Sequence, residues 1–174
     1  SLRFVEERSE EFAVRKNVAM PYQAATDRGV MATVYADGGY GYAASGDTSP
    51  AGLAAVLERA ARWARATARH GLIDTRALPL PVPRGDYASP AFAVAGPSRR
   101  EWYDLLHAES EAAGRDPRIV DWEVGVEVRV ATHRLVTSTG GDVVQRYRFL
   151  MPGLSVTAHA DGVTQVRSLN GYRG

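Results

Sequence analysis

The spacing of hydrophobic residues follows a strand period in some parts of this chain and a helix period in others. Residues 30–36 and 40–45 alternate around Asp37-Gly38-Gly39, whose glycines tolerate the positive φ of a tight hairpin turn. The period then lengthens to about 3.6, which predicts a helix that Ser49 caps and Gly71 ends. The apolar face of this helix is predicted to comprise Leu53, Val56, Leu57, Ala60, Ala61, Ala64 and Ala68.

Three short strands are predicted before the hairpin, over residues 2–7, 10–17 and 22–26. Four glutamates lie in or between the first two: Glu6, Glu7, Glu10 and Glu11. Paired carboxylates would suggest acid–base catalysis or a cation site, but catalytic pairs need burial to separate their pKa values. We interpret these glutamates as a solvated turn and strand face.

Five of the nine prolines fall within residues 74–97 and interrupt every regular pattern there. Proline lacks a backbone donor and fixes φ, so this interval is predicted to be an extended surface connection, neither a regular helix nor a central strand. The alternative is a ligand for a proline-recognising module, but the sequence has no flanking recognition residues that would favour it.

A second helix is predicted from Ser98 to about residue 113. Ser98 and Glu101 match the Ser-x-x-Glu capping box, in which each side chain accepts a hydrogen bond from the other residue's backbone amide. Gly114 and Pro117 then stop the helix. Its inward face is predicted to contain Trp102, Leu105, Leu106, Ala112 and Ala113.

The remaining residues are rich in strand patterns. One strand with a buried face is indicated by valines that alternate with polar residues or glycine, at Val124, Val126, Val128 and Val130. Further strands are predicted over residues 135–139, 143–150, 154–160 and 163–169. The turns between these strands are assigned to Thr132-His133, Gly140-Gly141-Asp142 and Asp161-Gly162.

The order of elements is about five strands, a helix, a proline-rich connection, a helix and about five more strands. It predicts an α+β fold, with a largely antiparallel mixed sheet and two main helices packed on one face. A chain of 174 residues can bury a sizeable core. We expect a single domain over residues 1–174, with residues 74–97 as its internal connection.

Charge and composition exclude several classes of function. The 21 basic and 20 acidic residues leave a net charge of +1, so no bulk attraction for nucleic acid is expected. The absence of cysteine excludes disulfides and thiolate zinc sites. No apolar run approaches the roughly 20 residues of a membrane span, and no signal-peptide core opens the sequence. We expect a cytoplasmic protein that binds neither membrane nor nucleic acid.

A glycine pattern in the hairpin resembles a cofactor loop. Gly39, Gly41 and Ala44 match the G-x-G-x-x-A spacing of dinucleotide-binding proteins. In those proteins the last small residue already lies in the helix that binds pyrophosphate, whereas here a predicted strand separates the glycines from the helix. We interpret them as hairpin glycines.

The four histidines form no recognisable ligand pattern: His70, His107, His133 and His159. No two are four residues apart, and H-E-x-x-H, Walker and G-x-S-x-G motifs do not occur. His159 and Asp161 would need a third group to bind a metal, so we interpret both as structural. No catalytic, cofactor-binding or metal-ligating residue is assigned to this chain.

Several segments carry a family resemblance. Residues 27–47, DRGVMATVYADGGYGYAASGD, lead into an alanine-rich helix, and residues 116–128, DPRIVDWEVGVEV, follow the second helix. Residues 138–141 form a Ser-Thr-Gly-Gly turn, and residues 154–165 are LSVTAHADGVTQ. Together these segments resemble the N-terminal domain of the TldD/PmbA family, whose members are often labelled modulators of DNA gyrase. The resemblance extends over nearly the whole chain.

The resemblance implies a parent protein that is a zinc metallopeptidase for unfolded or small peptides, working as a homodimer or heterodimer of family members. The family's zinc helix carries H-E-x-x-x-H, which no position of this sequence matches. Zinc is therefore expected in a C-terminal peptidase domain of the same protein, and this chain alone is expected to be inactive. We expect a fragment of a longer protein rather than a truncated family member.

The resemblance leaves two functions for the domain itself. In the first, an open sheet edge binds extended unfolded peptide through its backbone and helps to form the substrate chamber. In the second, the domain is a structural or protein-interaction module that dimerises through its sheet without touching substrate. A fragment should expose an apolar patch where the rest of the protein packs, which would favour the first function.

Overall fold

The computed structural model describes residues 1–70, 74–80 and 82–171, and within them the predicted α+β class is confirmed. The helices in this part of the chain are α1 (Pro50–Thr67), α2 (Pro90–Ala93) and α3 (Arg99–Ala113). The strands are β1 (Leu2–Arg15), β2 (Val18–Ala19), β3 (Gln23–Ala36), β4 (Gly39–Ser45), β5 (Arg84–Ala88), β6 (Ile119–Val136), β7 (Asp142–Ala160) and β8 (Val163–Asn170). None of the described helices is long and apolar enough to cross a membrane.

The strands form a mixed sheet in the order β4-β3-β1-β6-β7-β5, in which β2 pairs with β1 and β8 with β7. The β3–β4 and β7–β8 pairs are antiparallel, whereas β5 runs parallel to β7. The chain divides into two compact units, and β1, β3, β6 and β7 contribute residues to both. The first unit comprises Ser1–Glu7, Asp27–Ala88 and Ala131–Arg146, and the second Arg8–Thr26, Ser89–Val130 and Tyr147–Gly174.

The strands are fewer and longer than the sequence patterns predict. β1 joins the strands predicted over residues 2–7 and 10–17, so the four glutamates lie along a strand and the turn expected among them is wrong. β3 likewise joins the short strand predicted at residues 22–26 to the first strand of the hairpin. Ser9 lies between the two predicted strands that β1 joins, and Gly29 lies between the two that β3 joins. Such residues suggest a turn locally, but a strand accepts them when its neighbours supply the hydrogen bonds.

The turn predicted at Thr132-His133 is also wrong, because both residues lie inside β6. The chain reverses a few residues later, where Thr137 Oγ1 accepts a hydrogen bond from the Gly141 amide (2.8 Å) and Gly140 has a φ of 93°. Threonine is β-branched and fits a pleated strand, whereas glycine supplies the positive φ that this turn requires. Gly140-Gly141 therefore predicts the position of this turn correctly, and Thr132-His133 does not.

The two strands predicted over residues 143–150 and 154–160 are a single strand, β7. Pro152 lies in the interval between them and has no amide hydrogen to donate. The strand accepts this proline because Pro152 lies beyond Gly153 and Asn170, the last residue pair of β7 and β8, and its carbonyl still accepts a hydrogen bond from the Gly171 amide (2.7 Å).

The first helix begins as predicted and ends earlier. Ser49 Oγ accepts a hydrogen bond from the Gly52 amide (3.2 Å), which satisfies one of the free amides of the first turn. α1 ends at Thr67, and the predicted end at Gly71 lies outside the described residues. Leu57 is 37% exposed, so its assignment to the apolar face is wrong. The buried members of that face are Val56, Ala60 and Ala64.

Two glycines in the first unit let α1 lie against β4 with no side chain between their backbones. A Cβ atom on Gly39 would lie 2.0 Å from the Ala64 carbonyl oxygen, and one on Gly41 would lie 1.9 Å from that of Ala60. Helix packing therefore requires both glycines, a reason that the hairpin interpretation missed. Both glycines lie in β4, and the rest of that strand separates them from the start of α1 at Pro50. The arrangement is therefore not that of a dinucleotide-binding loop.

In the second unit, α3 covers an aromatic and aliphatic core. The predicted capping box is present, with the Ser98 amide donating to Glu101 Oε2 (2.7 Å). Three rings surround Phe12 at centroid distances of 5.4–6.2 Å: Tyr22, Tyr103 and Trp102. The buried cluster comprises Phe12, Val14, Leu106, Val124, Val126 and Val128. Leu105 and Ala112, which the helix period assigns to the inward face, are exposed.

A buried serine on α3 holds the second unit together through polar contacts that the sequence did not predict. Ser110 is completely buried. Its Oγ accepts hydrogen bonds from the Asn17 amide (3.1 Å) and from Trp122 Nε1 (2.9 Å), and donates one to Asn17 Oδ1 (2.8 Å). One hydroxyl thereby satisfies three polar groups and ties α3 to the turn between β1 and β2 and to β6.

The proline-rich connection contains a strand that the sequence patterns missed. β5 lies at one end of the sheet order, beside β7, and all of its residues are exposed. In its sequence, RGDYA, tyrosine is the one residue type that strands favour, so the sequence pattern did not predict a strand there. In the described part of the interval, β5 lies at an end of the sheet order, whereas Pro90–Ala93 form the short helix α2, which the prediction of no regular helix did not include. Pro81 lies outside the described residues.

Two Asp-x-Arg segments fold into the same local ring. Arg76 donates to Asp74 Oδ1 from its amide (2.9 Å) and Nε (3.0 Å), and to Asp74 Oδ2 from Nη2 (2.7 Å). Arg118 makes the same three bonds to Asp116, at 2.9, 3.0 and 2.7 Å. In each ring the guanidinium, followed by the arginine amide, lowers the pKa of the aspartate from 3.8 to about 2.

Arg118→Gln is expected to raise the pKa of Asp116 from about 2 towards 3.8, because the charged donor is lost. The folded-state pKa lies below the unfolded value of about 3.9, so the stability from this carboxylate is present above that pH and is lost as the pH falls through about 2. A carboxyl-carbon NMR titration measures the pKa directly. Asp74 is the internal control and should stay near 2, and an unmoved Asp116 would contradict the assignment.

Candidate functional site

The outer side of β8 is an open sheet edge. The turn Asp161-Gly162 joins β7 to β8 with φ values of 52° and 76°, as the Asp-Gly pattern predicts. Pairing continues from Ala160 opposite Val163 to Gly153 opposite Asn170. All eight residues of β8 are exposed, and in the described part of the sheet β8 has β7 as its strand neighbour. Its other side is available for pairing.

Hydrogen-bond alternation identifies the backbone groups that point outward from this edge. In a hairpin closed by a two-residue turn, the pair beside the turn is hydrogen-bonded and the next pair is not. Val163 opposite Ala160 is the first pair, and the bond from the Gly171 amide to the Pro152 carbonyl continues the same odd-numbered set. The outward amides and carbonyls therefore belong to Thr164, Val166, Ser168 and Asn170.

Arg167 occupies one hydrogen-bond acceptor of the edge. Its Nη1 donates to the Val166 carbonyl oxygen (2.9 Å), which is one of the outward acceptors, and its Nη2 lies 3.4 Å from Gln165 Oε1. Charged side chains on edge strands reduce uncontrolled pairing with other chains. In the described sheet no strand pairs with this edge, but Arg167 already occupies its central acceptor, the Val166 carbonyl.

An apolar groove of about 690 Å³ lies between α3 and the β7–β8 hairpin. Its lining comes from α3 and three strands and includes Trp102, Leu105, Leu106, Val126, Leu154 and Leu169. Leu105 is 49% exposed and Leu169 is 72% exposed. Glu109 is the one ionisable side chain of the lining. Leu105 lies among apolar neighbours in this lining, as the helix period predicts, but the described residues leave about half of it exposed.

The histidines lie in different parts of the fold: His70 after α1, His107 on α3, His133 on β6 and His159 on β7. His133 Nδ1 is 3.0 Å from Arg3 Nη2, and its Nε2 is 3.7 Å from Glu7 Oε1. His159 Nδ1 is 2.8 Å from Thr164 Oγ1, so it takes part in a cross-strand contact. Among the described residues, no three histidine, aspartate or glutamate side chains form a group that could hold a metal ion.

Two of the β1 glutamates have structural partners: Glu7 lies near His133, and Glu10 contacts Tyr22 and Arg99. Glu10 accepts a hydrogen bond from the Tyr22 hydroxyl, and this bond raises the pKa of Tyr22. Arg99 stacks on the Tyr22 ring at 3.9 Å and donates to the same hydroxyl (2.9 Å). Glu10 thus orients a ring that packs on Phe12, and it is not half of an acid–base pair.

The comparison with protein families agrees with the first of the segments noted in the sequence, residues 27–47. Residues 1–64, from β1 into α1, match the family model described as PmbA/TldA metallopeptidase domain 1. The matched residues include β1, β2, β3 and β4 and most of α1, which belong to the α+β fold described above. Over these residues the match confirms the resemblance to the N-terminal domain of the TldD/PmbA family. A search of curated proteins finds no match.

Solved structures share this fold. A protein labelled a modulator of DNA gyrase from Bacteroides thetaiotaomicron aligns with a TM-score of 0.71 and 14% identity, over 97% of this chain and 39% of its own. One with the same label from Thermotoga maritima gives 0.62 and 16%, over 97% and 38%. TldE from Thermococcus kodakarensis gives 0.61 and 16%, over 97% and 39%. The chain therefore spans about two-fifths of the length of these structures, and at such identities the likeness concerns the fold.

Proposed function

We propose that this chain is the non-catalytic N-terminal domain of a TldD/PmbA-type zinc metallopeptidase that processes unfolded or small peptides. In this proposal the domain binds extended substrate and helps to form the wall of the substrate chamber. The observation that carries it is the open edge of β8, with its row of outward amides and carbonyls. The description of the matching family model as a metallopeptidase domain supports the reaction class.

An open edge suits a substrate that has no fold of its own. A strand that adds to β8 exchanges backbone hydrogen bonds with Thr164, Val166 and Ser168, and these bonds do not depend on the substrate's side chains. In a folded protein the backbone groups are already paired, so a folded chain has few free strands to offer. Edge binding therefore favours unfolded peptides over folded proteins.

In the same proposal, zinc chemistry belongs to another part of the protein. The described residues contain no group that fits a zinc ion, and the sequence has no H-E-x-x-x-H. We assign the zinc to a C-terminal peptidase domain of the same protein, and we assign closure of the chamber to a homodimer or heterodimer of family members. The share of 38–39% that this chain covers in the solved structures leaves room for such a domain.

Val166→Pro is expected to weaken peptide binding by about tenfold, because proline removes an outward amide and the hydrogen bond that it donates to the peptide. The amide of Val166 does not point at β7, so the hairpin should remain intact. Binding is measured by NMR titration of the 174-residue chain with an eight-residue serine–threonine peptide, which matches β8 in length.

Val166→Ala is the matched control, since it removes the same side chain and keeps the amide. It should bind the peptide within about twofold of the wild type. The proposal fails if the wild-type chain binds no peptide, or if the proline and alanine variants bind equally well.

A structural or protein-interaction module is the second candidate, because three large apolar residues of β8 are exposed: Val163, Val166 and Leu169. In that case the edge pairs with another protein chain, and Val166→Pro shifts the sedimentation profile from dimer to monomer. Peptide titration would then give no response in either form.

A further inference from the structure

The apolar groove lies on the face of the hairpin that a bound strand would share. Leu169 lies directly opposite Leu154, and both line the groove. Side chains of directly opposed residues project to the same face of a sheet. The odd-numbered residues of β8 therefore lie on the same face of the sheet as the groove, and every second side chain of a strand added to β8 would lie on that face as well.

The distances allow such a side chain to reach the groove. Neighbouring strands lie about 4.8 Å apart, and long side chains also contact diagonal neighbours at about 7–8 Å. A peptide residue beside Leu169 would therefore contact the rim, and a leucine or phenylalanine would extend past it. An apolar cavity of about 150 Å³ is enough for benzene, so a groove of about 690 Å³ has room for a large side chain.

The chemistry of the lining selects among side chains. Leu105, Leu154 and Leu169 offer apolar contacts, and the one ionisable group, Glu109, disfavours an acidic side chain. A polar side chain would lose its water without gaining a partner among the apolar lining residues. A large apolar side chain instead removes its own surface and that of exposed leucines from water.

We propose that this groove binds a large apolar side chain of the peptide whose backbone pairs with β8. The inference rests on the proposed function and adds a substrate preference to it: extended peptides with leucine, methionine or an aromatic residue, rather than wholly polar peptides. An extended peptide is the occupant because the groove and the free backbone edge share the same strand, through Leu169.

The test compares two eight-residue serine–threonine peptides that differ at one central position, leucine or serine. Fluorescence anisotropy with the 174-residue chain should show about tenfold tighter binding of the leucine peptide. In Leu105→Gln this preference should fall to about threefold or less, while the affinity for the serine peptide stays unchanged. Leu57→Gln, an exposed helical leucine in the other unit, is the matched control and should retain the full preference.

Three outcomes would overturn the inference while leaving edge binding intact. The wild-type chain could bind both peptides equally, Leu105→Gln could weaken both by the same factor, or the preference could survive in Leu105→Gln. If instead Leu105→Gln converts a dimer into a monomer in sedimentation, the occupant is a second copy of the chain. Failure of the proposed function has a different result, namely no binding of either peptide or no effect of Val166→Pro.

Discussion

Gly41→Val is expected to lower the free energy of unfolding by about 3 kcal/mol or more, although valine is a favoured strand residue. The new Cβ would lie 1.9 Å from the Ala60 carbonyl oxygen, and a backbone oxygen cannot rotate away as a side chain can. α1 would have to lift away from β4, which would expose Val56 and the apolar residues packed against it. Urea denaturation followed by circular dichroism measures the loss.

Gly85→Val is the matched control for this prediction. Gly85 also lies in a strand, β5, but no atom lies within 4 Å of the position that its Cβ would take. The substitution should change the free energy of unfolding by less than about 0.5 kcal/mol. Similar losses in the two variants would mean that close helix packing is not what position 41 requires.

Ser110→Ala is expected to cost about 1–3 kcal/mol of stability, more than the deletion of one oxygen atom suggests. Ser110 is completely buried. Loss of its hydroxyl leaves Trp122 Nε1, the Asn17 backbone amide and Asn17 Oδ1 without this partner. The half-buried Trp122 then has an indole donor that has left water without a partner, whereas the exposed Asn17 can turn to solvent. The measurement is the same urea titration.

Two comparisons isolate the polar network from general effects of serine removal. Ser168→Ala, at an exposed position on β8, should stay within about 0.5 kcal/mol of the wild type. In a double-mutant cycle, Trp122→Phe should cost about 1 kcal/mol less in the Ser110→Ala background than alone, because the indole donor has already lost its acceptor. Strict additivity would rule out the proposed coupling.

Caps and turns could be predicted from sequence because one or two residues determine them. Ser49 and Ser98 cap their helices as predicted, and Asp161-Gly162 forms the hairpin turn. Strand ends could not be predicted in this way. Whether a strand continues through Ser9 or Thr132 depends on the partner strands beside it, and those lie far away in the sequence.

The candidate site shows the same division between local and non-local information. The sequence predicted a strand at β8 and the direction of Leu105, since both follow from periodicity. It could not reveal that β8 lies at an edge, because strand order in a sheet is set by the whole chain. The same holds for Ser110, which lies four residues after Leu106 on the buried face, with partners on β6 and in the β1–β2 turn.

Arg167 increases the length that a strand needs when it pairs with β8 across Val166. The incoming strand must first break the bond from Arg167 to the Val166 carbonyl, so one new backbone bond at this point only replaces the one that was lost. The Val166 amide contributes one net bond, and any larger gain needs bonds at Thr164 and Ser168, which together require roughly five residues of extended chain. A dipeptide or tripeptide placed at Val166 would therefore gain little, and a segment that also reaches Thr164 and Ser168 would bind more tightly.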